Sequence, residues 1–147
     1  MRFGGSGAAV VWWWRCPIRG DVSRVRQRDY LQLARAHGSF NMIFGIWPLV
    51  HMPSFEAVSG TKTDKWLVRT VAGLMVVNGL TQLLAARSRE GLWLARVVGL
   101  GTAGTLGAVD VVYAPGGRIS RVYLLDAAVE GAWITAWLSA APSHTRD

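Results

Sequence analysis

Apolar residues along the chain gather into four blocks. They run from about Ala36 to Met52, Trp66 to Ala86, Leu92 to Ala114 and Ile119 to Ala140. A helix on a soluble core shows a polar stripe, with charges recurring every three or four residues. Val71–Leu80 and Val97–Val109 carry no charge on any face. Blocks two to four match the roughly 20 apolar residues that cross a bilayer. A chain of 147 residues is too short to bury three such helices inside a soluble core. The pattern therefore predicts an all-α, polytopic membrane protein: four transmembrane helices in a bundle, over about 33–52, 66–86, 92–114 and 119–140, making one domain over 31–142.

The first block is the weakest of the four. It contains His37, Asn41, Pro48 and His51, and its clean apolar run covers only Phe40–Val50. Spanning, with Pro48 as a kink near one end, is the preferred reading. A re-entrant or interfacial segment is the alternative. The connection from Pro53 to Val68 reads as a short exposed loop. In it Phe55 is a surface anchor, Gly60 permits a tight turn, and Thr63 or Asp64 caps the next helix.

Residues 1–30 read as a poorly ordered basic tail with no helical period near its start. A gene start placed too early, with the natural one near Val22 or Val25, is the accompanying expectation. The run Ala8–Trp14 is too short for a secretory signal. Cys16, the single cysteine, can form no internal disulfide and has no second thiol with which to bind zinc.

Charge supplies an orientation. There are 16 Lys and Arg against 9 Asp and Glu, a net of +7. Arg24, Arg26, Arg28 and Arg35 precede or open the first block, and Arg87, Arg89 and Arg96 flank the second connection. Lys62, Lys65, Arg69, Arg118 and Arg121 fall on the opposite side. The positive-inside rule then places both termini in the cytoplasm of a cell with an inner plasma membrane. Trp47 and Trp66 fall at the outer interface, and Trp93 and Trp137 at the inner one, where tryptophan concentrates. The positive charge lies mostly in tail and loops without a nucleic-acid motif, so anionic lipid is the expected partner and nucleic acid is not.

Gly99-Leu-Gly101-Thr-Ala-Gly104 matches a dinucleotide fingerprint literally. That motif requires a preceding strand and a helix opening within it, whereas these glycines sit inside an uninterrupted apolar stretch. Close helix packing is the better reading, with Gly104 and Gly107 on one face and Gly73 in block two as a counterpart. No cofactor is implied. Two isolated histidines without H-x-x-x-H or H-E-x-x-H spacing give no metal signature, and no nucleophile–base arrangement suggests an enzyme.

Block four carries the most informative chemistry. Asp126 and Glu130 are one helical turn apart, and Trp133 and Trp137 continue their face. An ionised acid near a bilayer's centre costs about 2.5–3.5 kcal/mol or more. Both must turn inward and find a partner or a proton. By depth, Arg69, Asp110, Arg121, Asp126 and His51 form a polar cluster in the outer leaflet. Glu130 meets Asn78 deeper down, and Gln82, Arg96, His37 and Asn41 lie near the inner surface.

The run Phe44-Gly45-x-Trp47-Pro48, followed by Phe55-Glu56-x-Val58-Ser59-Gly60-x-Lys62-x-Asp64-x-Trp66-Leu67-Val68, resembles small bacterial four-helix integral membrane proteins of an uncharacterised family, over residues 40–80. The resemblance implies a bacterial membrane context and no activity. DoxX-like proteins share the gross layout without a diagnostic motif here. Three functions follow: a non-catalytic accessory or assembly bundle, acting in a homo-oligomer or with a membrane partner; a small oligomeric transporter or proton-coupled carrier using Asp126 and Glu130; and a lipid-binding or lipid-modifying protein using Arg69 and Arg121.

Overall fold

The computed structural model describes residues 18–140. These form five helices: α1 (Ile18–Val50), α2 (Met52–Ser59), α3 (Lys65–Ala85), α4 (Arg89–Tyr113) and α5 (Tyr123–Ser139). No strand occurs among the described residues. The tail expected up to residue 30 is helical from Ile18 onward. Cys16 and the proposed irregular start lie outside the described residues.

Helix α1 packs chiefly on α3, α3 on α4, and α4 on α5, while α1 meets α5 over a short stretch only. Glycines set the α1–α3 approach. A Cβ on Gly79 would stand 2.5 Å from the Gly38 carbonyl oxygen, and one on Gly45 would stand 2.7 Å from that of Ala72. Both clashes are with backbone, which no side-chain movement relieves. Gly38 and Gly45 are seven residues apart and therefore share a face.

Of the packing glycines expected from sequence, Gly73 and Gly104 have no atom within 4 Å of where a Cβ would stand, whereas a Cβ on Gly107 would stand 3.3 Å from Glu130 Cβ across the α4–α5 interface. Within the chain, Gly73 and Gly104 thus face outward. The face that α4 turns inward is instead marked by the buried Ala95, Gly99, Thr102, Ala103 and Asp110.

Residues 52–59 are a helix rather than the exposed loop expected. His51 caps it: its Nδ1 accepts from the Ser54 backbone N–H at 3.2 Å, and Pro53 sits in the first turn, where a missing N–H costs nothing. Trp47 Nε1 donates to Ser54 Oγ at 2.8 Å and packs edge-on against Phe55. Gly60 ends the helix at φ +82°, a left-handed conformation that glycine adopts without strain. Asp64 occupies the N-cap of α3 but its side chain makes no cap bond. The fourth apolar block is a shorter helix than expected, beginning at Tyr123 after a turn in which Gly117 has φ +71°.

The distribution of polarity is inverted relative to a water-soluble bundle. The largest fully buried side chains are Trp137, His37, Gln82, Glu130 and Asn41. Exposed positions include Ile43, Val50, Leu74, Val77, Val112, Leu125 and Leu138. Lys65–Ala85 and Gly91–Tyr113 are long and apolar enough to cross a membrane, and only 17% and 22% of their apolar windows are buried inside the molecule. A soluble core helix with that sequence would be mostly covered.

Candidate functional site in the bundle interior

One face of α5 organises the interior. Tyr123, Asp126, Glu130, Trp133 and Trp137 recur at alternating spacings of three and four, so they form one column along the helix. At about 1.5 Å per residue, Asp126 and Glu130 are about 6 Å apart along the axis, and Trp137 lies about 10 Å beyond Glu130.

At the end away from α2, the column closes on a hydrogen-bond network. Trp137 Nε1 donates to His37 Nδ1 at 2.9 Å. Gln82 Nε2 lies 3.3 Å from the same nitrogen and donates to the Ala95 carbonyl at 3.4 Å, while Gln82 Oε1 accepts from Asn41 Nδ2 at 2.9 Å. Nδ1 of His37 is thus an acceptor, which puts the proton of the neutral ring on Nε2. The ring stacks on Trp133 with centroids 4.5 Å apart and planes 8° from parallel. Tyr30 packs edge-on against Trp137. Gly99 makes room for this junction, because a Cβ there would stand 2.6 Å from Trp137 Nε1.

Trp137 is therefore a core residue and not the interfacial anchor expected of it; its indole is 0% exposed. Trp66 and Trp93, near the first turns of α3 and α4, are 68% and 69% exposed and fit an interfacial position. Sequence reasoning placed His37, Asn41 and Gln82 at similar depth but missed Trp137 as the group that joins them. It also missed Gly38, Gly45, Gly79 and Gly99; the seven-residue interval between Gly38 and Gly45 was the available signal.

Toward the α2 end the column is acidic. The carboxyls of Asp110 and Asp126 approach each other across the α4–α5 interface. Glu130 is fully buried beside Gly107. Both Glu130 oxygens, Asp110 Oδ2, Asn41 Oδ1, His37 Nε2 and Trp133 Nε1 are buried without a hydrogen-bond partner among the described residues. Buried polar atoms are nearly always paired with protein or water; of these, Glu130 and Trp133 lie on α5, Asp110 on α4, and His37 and Asn41 on α1, and Tyr30 Oη and Arg96 Nε are likewise without a partner among the described residues.

The five-residue polar cluster expected from depth does not form. Asp110 and Asp126 meet, but Arg69, Arg121 and His51 are exposed, and His51 is spent on capping α2. Asn78 donates to Thr102 Oγ1 at 3.1 Å and does not reach Glu130. Long basic side chains near a helix end gain more by reaching outward to water or headgroups than by following a short acid inward. Among the described residues the ion pair is Lys65–Glu56 at 2.9 Å, outside the column.

Above the acids, Lys62 closes the α2 end. Its ammonium lies 4.6 Å from the Tyr123 ring centroid and 5.9 Å from that of Phe55, and it donates to the Ser59 carbonyl at 2.8 Å. Among the described residues no three His, Cys, Asp or Glu side chains are grouped to hold a metal ion. Comparison with family models, with curated proteins and with solved structures returns no match.

Proposed function

We propose that this protein is a four-span integral membrane bundle of a bacterial inner membrane, with both termini cytoplasmic, that binds and releases protons at an interior acid centre of Asp110, Asp126 and Glu130. It acts as a small proton-coupled carrier. The observation that supports this reading over a purely structural bundle is Glu130: mid-helix in α5, fully buried, its two oxygens without a partner. A scaffold gains nothing from such a group, because an apolar residue of similar size would pack there at lower cost. Intramembrane acids that persist mark ion or proton pathways.

The exposed apolar faces of α1 and α5, taken together with the two helices that are long and apolar enough alone, support the reading of four spans. In α1 the support comes from the second half, where Ile43, Phe44, Ile46, Leu49 and Val50 face outward. The proposed orientation is supported by the basic segment preceding that half and by Arg87. A carrier this small calls for a second copy as partner, and the outward-facing Gly73 and Gly104 offer surfaces on which helices can approach closely.

Proton flux in reconstituted vesicles tests the reading. Under an imposed pH gradient, an internal pH dye should report flux above that of protein-free vesicles. Glu130→Gln should lower it by about a hundredfold or more, in the range by which a placed proton-transfer group accelerates reaction. Wild-type flux equal to background, or unchanged flux in the variant, overturns the proposal.

A further inference from the structure

We propose that the interior column of α5 binds a protonated organic amine: a compact ammonium head on an apolar body. This rests on the reading of the column as a functional centre and names what it would carry besides protons.

The first argument is charge. The unpartnered acceptors are Glu130 Oε1 and Oε2, Asp110 Oδ2 and Asn41 Oδ1. No lysine or arginine forms an ion pair with these acids among the described residues. A complement must therefore bring positive charge and several N–H donors, which excludes anions and leaves neutral molecules poorly matched.

The second argument is the wall. Carboxyls alternate with aromatic rings along the column. Tyr123 lies one turn before Asp126, and Trp133 lies one turn after Glu130, with Phe40 5.7 Å from it. Ring faces attract ammonium groups and also cover an apolar body. Metal ions want several hard oxygen ligands converging on one point, and among the described residues no three His, Cys, Asp or Glu side chains are placed to hold one, these acids included.

The third argument is the chain's own ammonium. Lys62 is held between Tyr123 and Phe55 at the α2 end of the same column. An alkylammonium thus already occupies an aromatic clasp there, two turns above Glu130. At the other end the floor is fixed. His37 is fully buried, its Nδ1 is taken by Trp137, and the remaining Nε2 is a donor. A cation is not stabilised by a donor, so its head stops at Glu130 rather than passing deeper.

Calorimetry on the full chain in lipid nanodiscs tests this, with benzylamine as probe, benzyl alcohol as its neutral counterpart, and sodium chloride at matched ionic strength. Benzylamine should bind saturably, weaken at least about tenfold in Glu130→Gln, and retain most of its affinity in Glu130→Asp, which reports on folding. Benzyl alcohol should give only the unsaturable background of protein-free discs. Equal binding of the alcohol, an unchanged affinity in Glu130→Gln, or full competition by sodium overturns the proposal. Glu130-dependent proton flux without amine binding defeats this inference and leaves the proton reading standing. Amine binding without flux does the reverse.

Discussion

Gly79 and Gln82, one turn apart on α3, hold the interior together by opposite means. Gly79 works by absence. A Cβ there would meet the Gly38 carbonyl oxygen at 2.5 Å and the Met42 backbone nitrogen at 2.9 Å, so Gly79→Val must push α1 away. The expected loss is about 1–3 kcal/mol, the usual cost of overpacking, read as a lower unfolding midpoint in detergent. Gly101→Ala, facing open space, should be neutral or stabilising by up to about 1 kcal/mol. Gln82 works by satisfying several neighbours at once, and with Trp137 it fixes which His37 nitrogen carries the proton. Nitrogen NMR of labelled His37 should show one neutral tautomer, protonated at Nε2. Trp137→Phe removes the N–H that Nδ1 accepts, and a mixture of tautomers should appear. A single unchanged tautomer would show that Trp137 does not set it.

At the scale of elements, α2 and the start of α3 are tied by one carboxylate. Glu56 accepts from Lys65 Nζ and from the Lys62 backbone N–H, each at 2.9 Å. The hydrogen bond from Lys65, then that from Lys62, hold its carboxyl below the usual value of 4.5. A group whose folded value is depressed stabilises the folded state above its unfolded value and loses that contribution as pH falls through the folded one. The α2–α3 connection should therefore be intact at neutral pH and loosen only below about pH 4.5. The carboxyl carbon resonance of Glu56 should titrate with a midpoint under 4.5, and Glu56→Gln should abolish the acid-dependent change in Lys62 amide exchange. A midpoint above that value would contradict the geometry. The same region shows what the sequence conceals. Helices α3 and α4 were legible because they are apolar on every side, a signal that needs no knowledge of their neighbours. Helix α2 was not, because eight residues hold too few turns for a period, and its cap is a histidine rather than the usual Ser, Thr, Asp or Asn. The acidic face of α5 was legible from the interval between Asp126 and Glu130. Which groups oppose it was not, since depth restricts partners to a layer but not to a direction around the helix. Arg69 and Asp110 share a layer and point different ways.

For the whole molecule, the decisive property is that polar groups face in and apolar ones face out. Water would reverse this arrangement, because exposing Leu, Val and Ile while burying Glu130 and His37 loses on both counts. Hydrocarbon reverses the sign for the outer surface and leaves the interior as the only refuge for polar side chains. In the proposed topology the two ends lie in different aqueous compartments, which makes it measurable. Single cysteines at Thr61, Arg87 and Arg118, each in a chain with Cys16 replaced by serine, occupy three connections between helices. Four crossings with cytoplasmic termini put Thr61 and Arg118 outside and Arg87 inside. In intact cells a membrane-impermeant maleimide should label positions 61 and 118 and spare 87 until the cells are permeabilised. If α1 were re-entrant, residues 18–30 and position 61 would share a side. A cysteine at Asp29 separates the cases: it should behave like 87 if α1 crosses and like 61 if it does not. The second pattern would remove the first span and, with it, the α1 wall from which His37 and Phe40 pack on Trp133 of α5.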